Sequence, residues 1–226
     1  LADAYNLLAF YNFIAPRDGF GRAGDFARRA QQLAPQLAET NASLAFIQHF
    51  FEWNFGAAET SYRRALQADP NYGPARFWFS FLLATIGRPG DARAEIAAAR
   101  EAEPFSSIIS GGASYLDYFL GDHELGIRTA SDVLQADPNF GPAHMFLGFH
   151  YTATARYEEA RRCWRAAVER RDRLIFPRLM LATVHARAGD PAQARSILLQ
   201  LDNSAQRYVS PYFRAIAAVA LGAARL

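Results

Sequence analysis

The chain has 226 residues, 51% hydrophobic and 20% charged, a composition able to bury a core. Its 24 basic and 22 acidic residues leave a formal charge of +2, so no global field draws it toward nucleic acid or an anionic membrane. A single cysteine, Cys163, excludes an internal disulfide and any multi-cysteine metal centre, and no stretch reaches the roughly 18 uninterrupted apolar residues of a membrane span.

In chain order the sequence resolves into pairs of amphipathic segments. The first pair, 1–37, has Leu1, Ala2 and Tyr5 on one helix and Ala23, Ala27 and Ala30 on a second, with Pro35 after it. An inserted loop of about nine residues is expected between them, around Phe13–Gly21. The second pair, 38–72, carries Leu44 and Ala45, then Ala58, Tyr62 and Ala65, and closes at Asp69-Pro70. Its turn near Glu52–Phe55 needs one extra residue.

The third pair, 73–106, predicts helices over Pro74–Ile86 and Asp91–Ala102. Pro74 suits a first helical turn, where no backbone donor is needed. Gly87 ends the first helix, as a residue tolerant of positive φ should. Ala92, Ile96 and Ala99 form the buried stripe, and Glu103-Pro104 closes the pair. The fourth, 107–140, has Gly121, Gly126, Ala130, Val133 and Asp137-Pro138. The fifth, 141–174, has Leu147, Gly148 and Tyr151, then Ala160, Trp164 and Ala167. The sixth, 175–208, has Leu181, Ala182 and His185, then Gly189, Ala194 and Leu198. A final helix over 211–222 starts at Ser210-Pro211.

Pro70, Pro104 and Pro138 stand at a constant step of 34, and Ala-Asp-Pro-Asn-Tyr-Gly-Pro-Ala (68–75) returns with Phe for Tyr at 136–143. Such a period marks a helix–turn–helix repeat array. The pattern Leu-Gly-x-x-Tyr at 147–151, followed by Ala160, Trp164 and Ala167, resembles the tetratricopeptide repeat. Small residues at Ala45, Gly148 and Ala182, and at Ala58, Ala92, Ala160 and Ala194, match the two sites where that family packs helices closely. The family's first-helix Trp is absent, and repeat 4 has Ser114 and Gly126 at its small sites. The resemblance implies an all-α, right-handed superhelical solenoid of about six repeats plus a final helix.

A narrower resemblance rests on 1–11, 42–59 and 207–212. These stretches are similar to the C-terminal repeat region of bacterial multidomain regulators, in which the repeats follow a winged-helix, nucleotide-cyclase or protein-kinase domain. On this reading the chain is a piece of a longer, cytoplasmic protein. It lacks an N-terminal Met and the basic-then-apolar layout of a secretion signal.

In the family it resembles, first helices line a concave groove. Helical spacing then assigns Phe46, His49 and Phe50, Phe77 and Phe81, Tyr115, Tyr118 and Phe119, and Met145, Phe149 and Thr152 to that groove. Ala42, Thr85, Thr183 and Arg187 fall on the same positions. The line is aromatic and nearly uncharged, which suits a peptide or partner helix. The alternative is that these rings pack between neighbouring helices. A groove of this composition would also serve as a small-molecule sensor. It lacks the Lys, Arg and Asn clamp with which a chaperone-binding array holds a terminal carboxylate.

Arginines 156, 161, 162, 165, 170, 171, 173 and 178 are the densest basic cluster. Glu158, Glu159, Glu169 and Asp172 interleave with them. A solvated face with pairs such as Glu158–Arg162 explains this better than a nucleic-acid contact. The segment Ser-Ser-Ile-Ile-Ser-Gly-Gly-Ala-Ser (106–114) lacks the Lys-Ser/Thr of a phosphate loop, so its small residues let helices approach closely. The five histidines make no i,i+4 metal pair, and no base lies beside Cys163 in sequence. No enzyme, cofactor or metal is expected. The last helix, without a following partner, is expected to use a cap or a second copy of the chain.

Overall fold

The computed structural model describes residues 1–170, 175–202 and 208–222. Among them are thirteen α-helices. The first-type helices are α1 (Ala2–Phe10), α3 (Ala38–Phe50), α5 (Gly73–Thr85), α7 (Ser107–Leu120), α9 (Gly141–Ala153), α11 (Phe176–Arg187) and α13 (Pro211–Ala220). The second-type helices are α2 (Pro16–Leu33), α4 (Phe55–Ala68), α6 (Pro89–Ala102), α8 (His123–Ala136), α10 (Tyr157–Arg170) and α12 (Pro191–Asp202). The fold is all-α, and the starts of α4, α6, α8, α10 and α12 step by 34 throughout.

Punctuation sets this register. Prolines occupy the first turn of α2, α5, α6, α9, α11 and α13, where a missing N–H costs no hydrogen bond. Positive φ falls at Trp53, Gly87, Gly121, Ala155 and Gly189, again a constant step of 34. This left-handed residue reverses the chain between the helices of a hairpin. The α3–α4 turn spans 51–54, one residue longer than the 86–88 turn that joins α5 to α6, as its spacing requires.

The loop expected around Phe13–Gly21 is instead largely helix. Pro16 opens α2, Asp18 stands in its first turn, and α2 runs for 18 residues. A carboxylate at a helix N-terminus is favourable. Gly19 fixes the early start, because a Cβ there would lie 2.6 Å from the Ala9 Cβ. Only a residue without one lets α2 lie against α1.

The chain divides into two compact units, Leu1–Leu120 and Gly121–Leu226. In unit 1, α3 packs on α4, α5 on α6, and α3, α5 and α7 on one another in sequence. Its core runs through Tyr62, Phe79, Leu82, Leu83, Ile96 and Leu116. In unit 2, α9 packs on α8 and α10, and α11 packs on α10, α12 and α13. Trp164 is fully buried at its centre, with Met180, Leu181 and Val184 around it.

The small-residue sites work as crossings. Ala45, Ala58, Ala92, Ala160 and Ala194 have no exposure, and Ala182 almost none. Where glycine stands instead, a large ring fills its place. A Cβ on Gly148 would meet the Trp164 indole at 2.6 Å, one on Gly126 the His150 ring at 2.1 Å, and one on Gly112 the Phe77 ring at 2.1 Å. Gly112 of the 106–114 segment and Gly126 of repeat 4 are therefore packing devices.

Gly112→Ala should cost about 1–3 kcal/mol in urea unfolding, since it overpacks Phe77. Gly90→Ala, with nothing within 4 Å of the new Cβ, should be neutral or stabilise by up to about 1 kcal/mol through helix propensity. Equal effects at the two positions would contradict the packing role.

Candidate functional site

The residues assigned to a groove by spacing divide into two kinds. In unit 1, Phe46, His49, Phe77 and Phe81 are buried. Phe50, Tyr115 and Tyr118 are half-buried, and Phe119 is 56% exposed. In unit 2, Met145 and Thr152 are buried and Phe149 is half-buried. Helical spacing marks a face, but the first helix of the next repeat covers part of that same face. The expectation of an open aromatic line therefore needs correcting for the buried members.

What unit 1 presents is a ladder of rings in contact. Phe10 on α1 meets Phe46 at 5.6 Å between centroids and Phe50 at 4.9 Å. Trp78 on α5 meets Phe10 at 5.3 Å, Phe46 at 4.7 Å and Phe50 at 5.6 Å. Trp78 continues to Phe77 at 4.7 Å and Phe81 at 5.8 Å. Phe81 reaches Tyr115 at 5.7 Å and Phe119 at 6.0 Å on α7. Most of these pairs are edge-to-face or tilted, the arrangement that ring quadrupoles favour. Trp78 and Phe10 join the ladder although spacing from Phe77 and Phe46 did not select them. Trp78 lies three residues before Phe81 and seven before Thr85, so it shares their helix face at spacings other than the i+4 and i+8 counted from Phe77.

Unit 2 uses its counterparts differently. Phe149 packs edge-on against Trp164 at 5.1 Å and meets Phe176 at 5.5 Å. The Thr152 hydroxyl donates to the Gly148 carbonyl at 2.6 Å and accepts from the Trp164 indole N–H at 3.0 Å. That hydroxyl satisfies a buried indole donor, which ties Phe149 and Thr152 to the core of unit 2. Of the accessory positions, Thr183 is buried and donates to the Leu179 carbonyl at 2.9 Å. Arg187 is exposed.

His49 lies under the ladder, its ring 3.9 Å from that of Phe50. The Thr85 hydroxyl donates to the Phe81 carbonyl at 2.8 Å, so its oxygen is left to accept from His49 Nε2 at 3.4 Å. Nδ1 is buried without a hydrogen-bond partner. Burial drives the imidazole pKa down to about 4, because a charged ring loses its hydration there.

A histidine pair missed by sequence spacing occurs in unit 2. His123 Nδ1 and His150 Nδ1 are 3.2 Å apart, joining α8 to α9. The two stand 27 residues apart, so only the hairpin stacking brings them together. No group of three or more His, Cys, Asp or Glu among the described residues has the geometry of a metal site. Burial pushes the Cys163 thiol up to about 11, which keeps it protonated.

Two arginines of the basic cluster are paired to carboxylates. Arg156 binds Glu159 at 3.0 Å and Glu124 at 3.9 Å, and Arg161 binds Glu158. Glu158 thus takes Arg161 at i,i+3 rather than Arg162. Arg171, Asp172 and Arg173 lie outside the described residues, as does Arg207 of the 207–212 stretch.

No family model matches the chain, and no curated protein matches its sequence. Solved structures do match. PilW, a widely conserved type IV pilus biogenesis factor, superposes with a TM-score of 0.68 at 19% identity, over 95% of this chain and 97% of that one. Pseudomonas aeruginosa PilF gives 0.59 at 18% identity, over 96% and 97%. Human IFIT1, as a dimer with m7Gppp-AAAA, gives 0.70 at 16% identity, but over 81% of this chain and 46% of that one. At these identities the likeness is one of fold, an all-α array of tetratricopeptide-like hairpins. No helix among the described residues is long and apolar enough to cross a membrane.

The His49 pKa sets an acid dependence. Its folded value, about 4, lies below the unfolded value near 6.5, so the unfolded chain binds the extra proton. Its contribution to stability is present above pH 6.5 and is lost as pH falls toward 4, by about 3 kcal/mol. His144, also lowered by burial, acts in the same direction. His49→Gln should flatten the fall in chemical-denaturation midpoint between pH 6.5 and 4.5. A midpoint that falls as steeply as in the wild type would refute the assignment.

Proposed function

We propose that the chain is a protein-docking scaffold, and that the ring-bearing face of unit 1 takes a peptide segment or partner helix. The observation that supports this most directly is the outer edge of the ladder. Phe50, Trp78, Tyr115 and Tyr118 keep part of their surface in water and Phe119 keeps more than half, while the rings behind them are buried. Aromatic groups held rigidly by neighbours lose little entropy on binding, and such groups dominate interface energetics. The exposed set lies on α3, α5 and α7, so one bound segment would touch three consecutive hairpins.

The same reading makes the chain the docking half of a cytoplasmic bacterial regulator. Support for that part comes from the resemblance of 1–11 and 42–59 to such repeat regions. Self-association through α13 is part of it as well. Tyr212 and Val219 are 67% and 73% exposed on that helix, and its only charged residue is Arg214.

Peptides selected from a random 12-residue library on the intact chain should lose binding when Tyr118 and Phe119 are changed to Ser. The expected loss is about 10- to 100-fold, as for interface anchors, with thermal stability little changed. Selected peptides that bind the double variant as well as the wild type would overturn docking on this face. For α13, sedimentation should show concentration-dependent association that Val219→Glu abolishes. A wild-type chain that stays monomeric at 100 µM on the order of protein–protein dissociation constants would exclude self-association.

A further inference from the structure

The ring-bearing face of unit 1 also defines the charge of what it holds. Helices α1, α3, α5 and α7 carry four charged side chains, Asp3, Glu39, Arg76 and Asp117. Two of them turn toward α6. Arg76 reaches Glu95 at 2.6 Å, with its Nε donating to the Pro70 carbonyl at 2.8 Å. Asp117 reaches Arg93 at 2.8 Å. The other two do not turn away. Asp3 stands seven residues before Phe10, and Glu39 seven before Phe46. At 3.6 residues per turn, seven residues fall within about 20° of two full turns. Each carboxylate therefore shares a helix face with its ring, about 10 Å toward the helix N-terminus. Phe10 and Phe46 are themselves in contact, which brings the two helices side by side.

More negative charge gathers at that end of unit 1. Tyr72, the N-cap of α5, feels Asp3, Glu39, Glu103 and Asp69; burial first and these charges second raise its phenol to about 12. Asp3 accepts the Ser43 hydroxyl, and Asp69 accepts the Asn71 N–H at 2.9 Å. Asp3 and Glu39 stand in first helical turns, where the dipole favours them. Asp69 and Glu103 are the C-caps of α4 and α6, and the Glu103 carboxylate lies over Gly73, the first residue of α5, where a helix N-terminus favours it. A neutral aromatic face with a negative end complements a segment that is neutral and apolar along its length and positive at one end.

We propose that the ring-bearing face of unit 1 docks a cationic-aromatic segment of a partner protein. An apolar or aromatic stretch lies over Phe50, Trp78, Tyr115 and Phe119, and an arginine, a lysine or a chain-terminal amine at one end meets Asp3 and Glu39. The charge preference is opposite in sign to that of an array that clamps a terminal carboxylate. It rests on the docking reading above, and it adds the identity of the occupant.

The test uses a random 12-residue phage library on the intact chain, on the Asp3→Asn/Glu39→Gln variant and on Phe119→Ser. Both carboxylate positions are exposed, and thermal unfolding checks that the variant folds. The wild type should select peptides rich in aromatics, with Arg or Lys clustered at one end. The carboxylate variant should keep the aromatic preference and lose the basic one. A peptide selected on the wild type should bind that variant about tenfold more weakly at 50 mM salt, with the difference closing at 0.5 M as screening sets in. A wild-type pool that is neutral or acidic, or a basic preference that survives in the variant, overturns the proposal. If such a pool is still weakened by Phe119→Ser, docking on the face stands and only the charge assignment falls. If Phe119→Ser weakens nothing, the docking reading falls too.

Discussion

The close approach of two helices at a residue with little or no side chain is the constraint from which the rest of this structure follows. Ala45, Ala58, Ala92, Ala160 and Ala194 show it in its simple form, with no exposure left at the crossing. Gly112, Gly126 and Gly148 show a stronger form, in which the ring of Phe77, His150 or Trp164 occupies the volume of the missing Cβ. A glycine inside a helix costs about 1 kcal/mol relative to alanine. A buried ring contributes more than that through the apolar area it removes from water. The exchange is favourable only if the ring fills the gap fully, since interiors are close-packed and voids lose dispersion contacts. The 34-residue step returns a small residue at Ala58, Ala92, Gly126, Ala160 and Ala194.

This constraint also shapes the candidate docking face. Helices that approach closely bring their first-helix rings within contact distance, and the ladder from Phe10 through Trp78 to Phe119 results. A ring in the ladder has one edge against a neighbour and another free for solvent or a partner. The burial gradient follows from position. Phe46, Phe77 and Phe81 are flanked by rings on several sides, whereas Phe119 has its ring contacts at Phe81, Tyr115 and Tyr118 and remains more than half exposed. The inner rings hold the outer ones in place, so a partner would meet surfaces that are already ordered.

Much of the scaffold was legible because its rules are local. Proline at a first turn, a left-handed residue between paired helices and a small residue at each crossing are all written in residue type and spacing. The helices of the third repeat begin and end within two residues of where Pro74, Gly87 and Glu103-Pro104 put them. The face was less legible, because exposure depends on which neighbour covers which side of a helix. Phe77 and Phe119 look alike by spacing, yet one is seated over Gly112 and the other opens to water. Trp78 was passed over because the spacing was counted in steps of four from Phe77, although i+3 and i+7 put Trp78 on the face of Phe81 and Thr85. The first turns of α2 fell within the loop expected around Phe13–Gly21, although Gly19 serves a crossing with Ala9. The His123–His150 contact spans two helices, and no pattern within one helix could contain it.

Charge is partitioned between the two helix types of unit 1, and this separates the part of the surface that needs solvent from the part that does not. The second-type helices hold most of the charge and satisfy it locally, as in Arg63–Glu59, Arg88–Asp91 and Arg28–Asp25. Exposed pairs of this kind add little to stability, so their effect is to keep that face hydrated. The first-type helices hold four charges, and Arg76 and Asp117 are drawn toward the second-type side by Glu95 and Arg93. What remains is an aromatic surface with carboxylates only near its helix N-terminal end. Asp69 and Glu103 close their repeats beside the start of the next first-type helix, and the Glu103 carboxylate lies over Gly73. Of these two, Asp69 has a local use in its bond to the Asn71 N–H. A positively charged partner group would meet the carboxylates at that end.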